Sequence, residues 1–268
     1  MIELSNTPVA EPLMETIENI EAFEKVALRT QFPFSDSYSL LQESGKRFGD
    51  DPALEFLLSG RRDETPQTIS FRQLAQRITQ TANLLHTLGV EQDTAVSILL
   101  PIMPQSHPAI WGAQAAGIAN PINPMLDAEH IADIIEAAQA RVVICLAPSE
   151  HTDIWEKLMQ IMHRLSLVHT ILVVTQDHFT RRELTIPDNL NVNVLNYDSS
   201  IADQVDDHLI SERQFAPDQI AAYFHTGGTT GRPKIAQLTH ENMAFLGQLM
   251  QVYTAHMPRH TVLCGLPL

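Results

Sequence analysis

The chain has 268 residues and a formal net charge of −15. A protein this acidic is poorly suited to bind nucleic acid or an anionic membrane surface, because both carry negative charge. Hydrophobic residues make up 44% of the sequence and charged residues 18%, which is typical of a soluble globular protein of one or two domains with a core of its own.

The sequence carries no pattern typical of secretion or membrane insertion. Its first 36 residues are acidic and lack the apolar core of a signal peptide. No apolar run approaches the roughly 18 residues that a membrane-spanning helix needs. The two cysteines, Cys145 and Cys264, each lie within an apolar run. We expect both to be buried free thiols of a cytoplasmic protein.

The N-terminal residues 1–36 are rich in glutamate, which predicts an acidic extension that forms a peripheral helix or a partly mobile arm. The first clear element after it is a helix over residues 71–88, where apolar residues recur at helical spacing. Ser70 and Gln73 have the spacing of a capping box at its start, and Gly89 supplies its end.

Short apolar strands then alternate with amphipathic helices. The predicted strands are residues 95–100, 119–121, 142–146 and 171–174, and the predicted helices are residues 106–117, a segment capped by Asp127, and residues 153–165. This alternation predicts an α/β fold with a largely parallel, helix-covered sheet. In such sheets, ligands bind beyond the carboxyl ends of the strands.

A cluster of glycines and threonines lies between two further predicted strands, residues 220–224 and 235–238. Three of the 11 glycines fall within five residues here, together with three threonines and a closing Pro233-Lys234. Glycines let backbone N–H groups approach a ligand closely, threonine hydroxyls add donors, and lysine adds a compact positive charge. We predict a phosphate-binding loop formed by Thr226, Gly227, Gly228, Thr229, Thr230, Gly231 and Lys234.

An ordinary flexible hairpin loop is the alternative, since glycine, threonine and proline are common in turns. The loop is not the Walker loop of P-loop NTPases, which needs Gly-Lys-Ser/Thr at the start of a helix. Here Arg232 and Pro233 separate Gly231 from Lys234, and a strand-like segment follows.

The run from Thr226 to Lys234, continued by Thr239-His240-Glu241-Asn242, resembles the signature of the AMP-forming adenylating enzymes. That superfamily holds acyl-CoA synthetases, luciferases and the adenylation domains of peptide synthetases. The sequence departs from the usual loop at Gly227, where the family has serine, and at Ile235, where it has glycine. Residues 114–124 also resemble the family's Lys-Ala-Gly…Pro-x-x-Pro region. The similarity covers roughly residues 37–268 and looks most like bacterial acyl-CoA synthetases.

The resemblance implies an acid–thiol ligase that uses ATP, Mg²⁺ and coenzyme A to activate a carboxylic acid, most simply a fatty acid. It implies the large N-terminal domain of adenylate-forming enzymes over residues 37–268, with helix-covered, largely parallel sheets. It places Lys234 and the backbone and hydroxyls of the loop on the ATP phosphates, and Arg232 toward solvent. It assigns no metal ligand to the chain.

In the superfamily a Leu-Pro-Leu such as residues 266–268 leads into further active-site segments, so we expect residues 37–268 to be an AMP-binding domain that is incomplete at its C-terminus and inactive alone. Two alternatives remain open. One is a non-catalytic remnant or interaction module with the same fold. The other is an unrelated nucleotide-binding hydrolase.

Several smaller features carry their own expectations. His225 precedes the loop and is equally consistent with a substrate contact and with a packed core histidine. His240 opens a helix capped by Thr239, which favours a structural role. His256 and His260 have helical spacing, but Pro258 between them disfavours a metal site. The apolar stripe Leu246, Leu249, Met250 and Tyr253 predicts a core-facing helix side, and residues 261–264 are predicted to be a strand.

Overall fold

A computed structural model describes residues 16–25, 32–176, 179–180, 190–226, 234–254 and 261–264. The helices in this part of the chain are α1 (Ile17–Glu24), α2 (Ser37–Phe48), α3 (Phe71–Thr87), α4 (Ser106–Ala116), α5 (Ala128–Ala138), α6 (Ile154–Ile161), α7 (Tyr197–Ala202) and α8 (His240–Thr254). The strands are β1 (Pro52–Phe56), β2 (Gln67–Ser70), β3 (Ala95–Leu99), β4 (Ile118–Pro121), β5 (Val142–Leu146), β6 (Thr170–Val174), β7 (Asn193–Asn196), β8 (Ile220–Thr226) and β9 (Lys234–Thr239).

The main sheet has seven strands in the order β7-β6-β5-β3-β4-β8-β9. Strands β3 to β8 run parallel, and β9 pairs antiparallel with β8 at the edge. Strands β1 and β2 form a separate antiparallel hairpin. The predicted α/β fold with a largely parallel sheet is therefore confirmed.

The central strands are buried on both faces, since every residue of β3, β4, β5 and β6 is buried. The step from β3 through α4 to β4 and the step from β4 through α5 to β5 move in opposite directions along the sheet. Right-handed crossovers therefore place α4 and α5 on opposite faces. Helices α2 and α3 pack against α4, and α7 packs against α3. On the other face, α6 packs against α5.

The predicted helix ends around α3 and α5 are confirmed. The Ser70 hydroxyl accepts from the Gln73 N–H, and the Gln73 side chain accepts from the Ser70 N–H, which completes the capping box. Gly89 adopts a φ of 83°, a conformation that favours glycine. The Asp127 side chain accepts from the His130 N–H at the start of α5.

The sequence did not predict α2, α7, β7 or the β1–β2 hairpin. Helix α1 lies in the predicted N-terminal extension, where Glu18 and Asn19 are exposed. The chain just before α2 is attached to α8, because the Gln248 side-chain amide bonds both to the N–H and to the carbonyl of Phe34.

Four expectations are corrected. Helix α6 ends at Ile161, short of the predicted Leu165, although Leu165 is buried. Cys264 is exposed, whereas Cys145 is buried as expected, and neither is part of a disulfide. Residues 261–264 are exposed and form no strand. In α8 the exposed fractions of Leu246 and Met250 are 57% and 53%, so these two positions of the stripe do not face the core. An apolar run is buried only where other parts of the fold pack over it.

Candidate functional site

The predicted phosphate-binding loop joins the two strands of the β8–β9 hairpin. The last pair of this hairpin is Thr226 with Lys234, and the Thr226 hydroxyl donates to the Lys234 carbonyl over 3.4 Å. Gly227, Gly228, Thr229, Thr230 and Gly231 lie outside the described residues, as do Arg232 and Pro233. Their roles on a ligand therefore remain predictions.

The open end of the hairpin lies at the carboxyl edge of the parallel sheet. Strand β8 pairs in parallel with β4, with Ala222 opposite Ala119. Thr226 at the end of β8 therefore lies at the same edge as the ends of β3, β4 and β5. This is the edge at which ligands bind in open α/β sheets, and the two residues that flank the predicted loop, Thr226 and Lys234, lie at it.

Lys234 is exposed at this edge. None of the described carboxylates forms an ion pair with it. A lysine on a solvent-facing edge, paired across the hairpin with a threonine, is chemically suited to a phosphate group.

A second segment with family-like sequence, residues 120–124, reaches the same edge from β4. The Asn120 side chain is fully buried, and its Nδ2 donates to the Ser97 hydroxyl of β3 over 2.8 Å. The Asn123 backbone N–H then donates to Nε2 of His225, 3.2 Å away, from the strand that leads to the loop. The fold thus brings the two segments into contact across 102 residues of sequence.

Lys157 holds the same segment from the other side. Its Nζ donates to the Pro124 carbonyl over 3.2 Å and forms an ion pair with Asp153 at 2.9 Å. Only 17% of the Lys157 side chain is exposed. The sequence did not single out this lysine. The available signal was the scarcity of lysine, since Lys157 is one of only four lysines in the chain.

His225 is half-buried, and burial lowers its pKa. Its Nε2 acts as an acceptor for the Asn123 N–H, so its proton is on Nδ1. The sequence left a substrate contact and a packed histidine equally open. In the structure His225 packs at the edge and contacts the turn that follows β4.

His240 has the structural role that the sequence favoured. It is fully buried at the first position of α8. Thr239 caps this helix, because its hydroxyl accepts from the Asn242 N–H while the Asn242 side chain accepts from the Thr239 N–H. Burial and the nearby Arg213 guanidinium lower the pKa of His240 to about 4.

Arg213 ties the end of α4, which leads into β4, to the start of α8. Its Nη1 donates to the carbonyls of Gln114, Ala115 and Gly117 at the end of α4, and its Nη2 lies 3.4 Å from Nε2 of His240. The guanidinium also lies over the Phe215 ring, 5.0 Å from its centre. Burial lowers the pKa of Arg213 to about 10. The sequence did not identify this cluster.

Within the described part of the chain, no group of three or more histidine, cysteine, aspartate or glutamate side chains could hold a metal ion. The pair His256 and His260 lies outside the described residues.

Comparison with known proteins identifies the class. The sequence matches the AMP-binding enzyme family over residues 41–268, and the chain belongs to this family.

Two curated relatives and one solved structure illustrate the similarity. The chain is 32% identical over 227 residues to the marinolic acid–CoA ligase of Pseudoalteromonas sp. (strain SANK 73390), a match that covers 85% of this chain and 33% of that protein. It is 26% identical over 246 residues to a long-chain-fatty-acid–CoA ligase of Salmonella typhimurium, covering 85% of this chain and 41% of that protein. Its fold is similar to that of the acetoacetyl-CoA synthetase of Streptomyces lividans, with a TM-score of 0.64 at 20% identity, over 79% of this chain and 31% of that one.

The chain thus spans about a third to two fifths of the length of these curated relatives. In the described residues, no helix combines the length and the apolar character needed to cross a membrane.

Proposed function

We propose that this chain supplies the phosphate-binding part of an AMP-forming acid–CoA ligase, with residues 37–268 as its partial AMP-binding domain and residues 1–36 as an acidic extension. One observation carries the proposal: in a member of the AMP-binding enzyme family, the Gly/Thr-rich loop joins two strands that meet at the carboxyl edge of the parallel sheet. The family match supports a phosphate-binding loop over the ordinary-hairpin alternative.

The proposed reaction has two steps. A carboxylate oxygen attacks the α-phosphorus of ATP, and pyrophosphate leaves to give an acyl-adenylate. The thiol of coenzyme A then attacks the acyl carbon, loses its proton, and AMP leaves. We propose a fatty acid as the carboxylic acid, because ligases named for long-chain fatty acids are among the relatives. We place the reaction in the cytoplasm.

The loop would act on the first step. An anion attacks a polyanion there, so donors and positive charges fixed on the leaving phosphates lower the barrier. We assign this role to the backbone of residues 226–231, the hydroxyls of Thr226, Thr229 and Thr230, and the Lys234 ammonium. The exposed Lys234 beside Thr226 is consistent with this assignment.

Mg²⁺ would enter with the nucleotide as MgATP. The described residues hold no carboxylate cluster for a resident ion, and the threonine and lysine groups of the loop suit phosphate oxygens rather than a cation. When bound, Mg²⁺ supplies charge that offsets the negative charge of the phosphates.

The test is acid-dependent release of pyrophosphate from MgATP by the natural full-length protein, with carboxylic acids of several chain lengths. Lys234→Met should lower the rate about 10²-fold or more, because one preorganised charge contact to the leaving group is lost. Arg232→Ala is the matched control and should change the rate little, since exposed charges contribute weakly.

Equal losses in the two variants would mean that the wrong basic residue has been assigned to the phosphates. ATP hydrolysis that ignores every acid would instead favour a nucleotide hydrolase. We also expect the 268-residue chain by itself to release no pyrophosphate in response to acid. Phosphate contacts alone do not align the attacking oxygen, a positioning effect worth about 7–11 kcal/mol in well-oriented systems. Release above that of a Lys234→Met control would contradict this expectation.

A further inference from the structure

Arg213 lies on the connection from α7 to β8, and two of its three side-chain nitrogens have partners. Its Nη1 donates to three backbone carbonyls at the end of α4, and its Nη2 lies against Nε2 of His240. The Nε atom is buried, and no described group accepts a hydrogen bond from it. A buried guanidinium N–H without an acceptor costs free energy, because it has lost its hydrogen bond to water. Nε therefore requires an acceptor.

Gln114 of α4 carries a second buried donor of this kind. Its side chain is fully buried. The Oε1 atom accepts from the Ser37 hydroxyl at the start of α2, 2.7 Å away, whereas Nε2 has no acceptor among the described residues. Arg213 bonds to the backbone carbonyl of Gln114, so the two residues that lack an acceptor are in contact.

The Asp36 carboxylate lies near the same two residues. Only 6% of Asp36 is exposed, and its Oδ1 accepts from the Ser39 N–H over 2.7 Å at the start of α2. No hydrogen bond from the described residues reaches its Oδ2. Asp36 precedes Ser37, the partner of Gln114, and its negative charge acts on the Arg213 guanidinium. These two described residues nevertheless form no direct ion pair.

One water molecule has the hydrogen-bonding capacity that this arrangement requires. Its oxygen can accept two hydrogen bonds, and it can donate one to the carboxylate. Three hydrogen bonds are typical of a buried water in a protein. An anion could also accept from the two donors, but the Asp36 carboxylate would repel it. The chemistry of the three side chains therefore favours water over an anion.

We infer that Asp36, Gln114 and Arg213 form an internal binding site for one water molecule, which accepts from Arg213 Nε and Gln114 Nε2 and donates to Oδ2 of Asp36. The result is a solvent-bridged ion pair between Asp36 and Arg213. It joins the start of α2 to the end of α4 and to the connection that leads into β8. This inference is independent of the proposed ligase reaction.

The first experiment is a crystal structure of the natural full-length protein at a resolution that shows ordered water. We expect one water molecule within hydrogen-bonding distance of Arg213 Nε, Gln114 Nε2 and an Asp36 oxygen. A direct ion pair between Asp36 and Arg213 would overturn the inference. An anion at Nε, or no density between the three side chains, would overturn it equally.

The second experiment measures the coupling between the two charges by urea unfolding of the same protein. Asp36→Asn removes the charge but keeps an oxygen that can cap α2, and Arg213→Met removes the donors. The double variant should unfold about fivefold less readily than the product of the two single effects on the unfolding constant. Arg164→Met is the matched control, because Arg164 bonds to carboxylates of α5 instead. Its effect and that of Asp36→Asn should simply multiply. Multiplying effects of Asp36→Asn and Arg213→Met would contradict the inference.

A third comparison separates the bridged contact from a direct effect of one charge on the other. Gln114→Leu removes Nε2 without changing any charge, so the water loses one of its three partners. In this background the coupling of Asp36 to Arg213 should fall from about fivefold to about twofold. Ser37→Ala removes the hydrogen bond to Gln114 Oε1 but keeps Nε2, and should leave the coupling unchanged. Undiminished coupling in Gln114→Leu would show that the charges act without the water, and the inference would be wrong.

Discussion

His240 gives the sharpest prediction for stability, because its imidazole must remain neutral in the folded protein. The ring is fully buried at the start of α8, and its Nε2 faces the Arg213 guanidinium. Burial first, and Arg213 second, lower its pKa from 6.5 to about 4. In the unfolded chain the same ring titrates near its ordinary value.

The sign and size of the effect follow from that difference. Above about pH 6.5 the ring is neutral in both states and contributes no pH dependence. As the pH falls toward about 4, the ring binds a proton in the unfolded chain but not in the folded protein, so the free energy of unfolding falls. At 1.36 kcal/mol per pKa unit, the full loss is about 3 kcal/mol, and below about pH 4 it stops growing.

The assay is the free energy of unfolding by urea between pH 7.5 and pH 4. His240→Gln is the reference, because glutamine keeps an acceptor for Arg213 and does not titrate. His107 and His225, whose pKa values burial also lowers, remain in both proteins and cancel in the difference. Arg213→Met should raise the pKa of His240 only in part, because burial is the larger cause. Parallel pH profiles for the unaltered protein and His240→Gln would refute the reasoning.

Two further predictions concern packing. Arg164 bonds to Glu129, Asp133 and Glu136 at 2.6–2.7 Å and thereby joins α5 to the turn after α6. Arg164→Met should lower the thermal midpoint by leaving three carboxylates side by side, and the loss should shrink in 1 M salt; a loss that salt does not change would point to packing instead. A Cβ at Gly112 would lie 2.5 Å from the Cβ and 2.6 Å from the Cγ2 of Thr81, so Gly112→Ala should cost about 1–3 kcal/mol in urea unfolding. Adding Thr81→Ser should recover part of this loss, because it removes Cγ2 and keeps the hydroxyl bonded to Tyr197; no recovery would place the strain elsewhere.

The local features of this protein are determined by its sequence. Apolar periodicity gave the central strands and most helices, and the Ser70–Gln73 capping box and the turn at Gly89 were predicted from residues a few positions apart. The glycine-rich loop was placed at the end of a parallel strand for the same reason. Each of these depends on interactions between near neighbours in the chain, which a short stretch of sequence contains.

Apolar periodicity gave wrong predictions where burial depends on another part of the fold. The apolar positions of α8 and the run around Cys264 read as core, yet Leu246, Met250 and Cys264 are exposed. Helix α6 stops at Ile161, yet the apolar repeat continues into a turn in which Leu165 is also buried, so the repeat did not mark the end of the helix. Apolar character indicates that burial of a side chain is favourable, but the rest of the fold decides whether another surface packs over it.

Only the tertiary structure decided which segments meet at the site. Strands buried on both faces have nearly the same apolar sequences, so their pattern does not specify that β3 lies between β5 and β4. That order brings His225 to Asn123 across 102 residues and Lys157 to Pro124 across 33. Both contacts use a backbone group as one partner. Because the backbone groups are alike along the chain, the sequence does not show which of them a side chain will bind. Such contacts can be found only once the sheet is assembled.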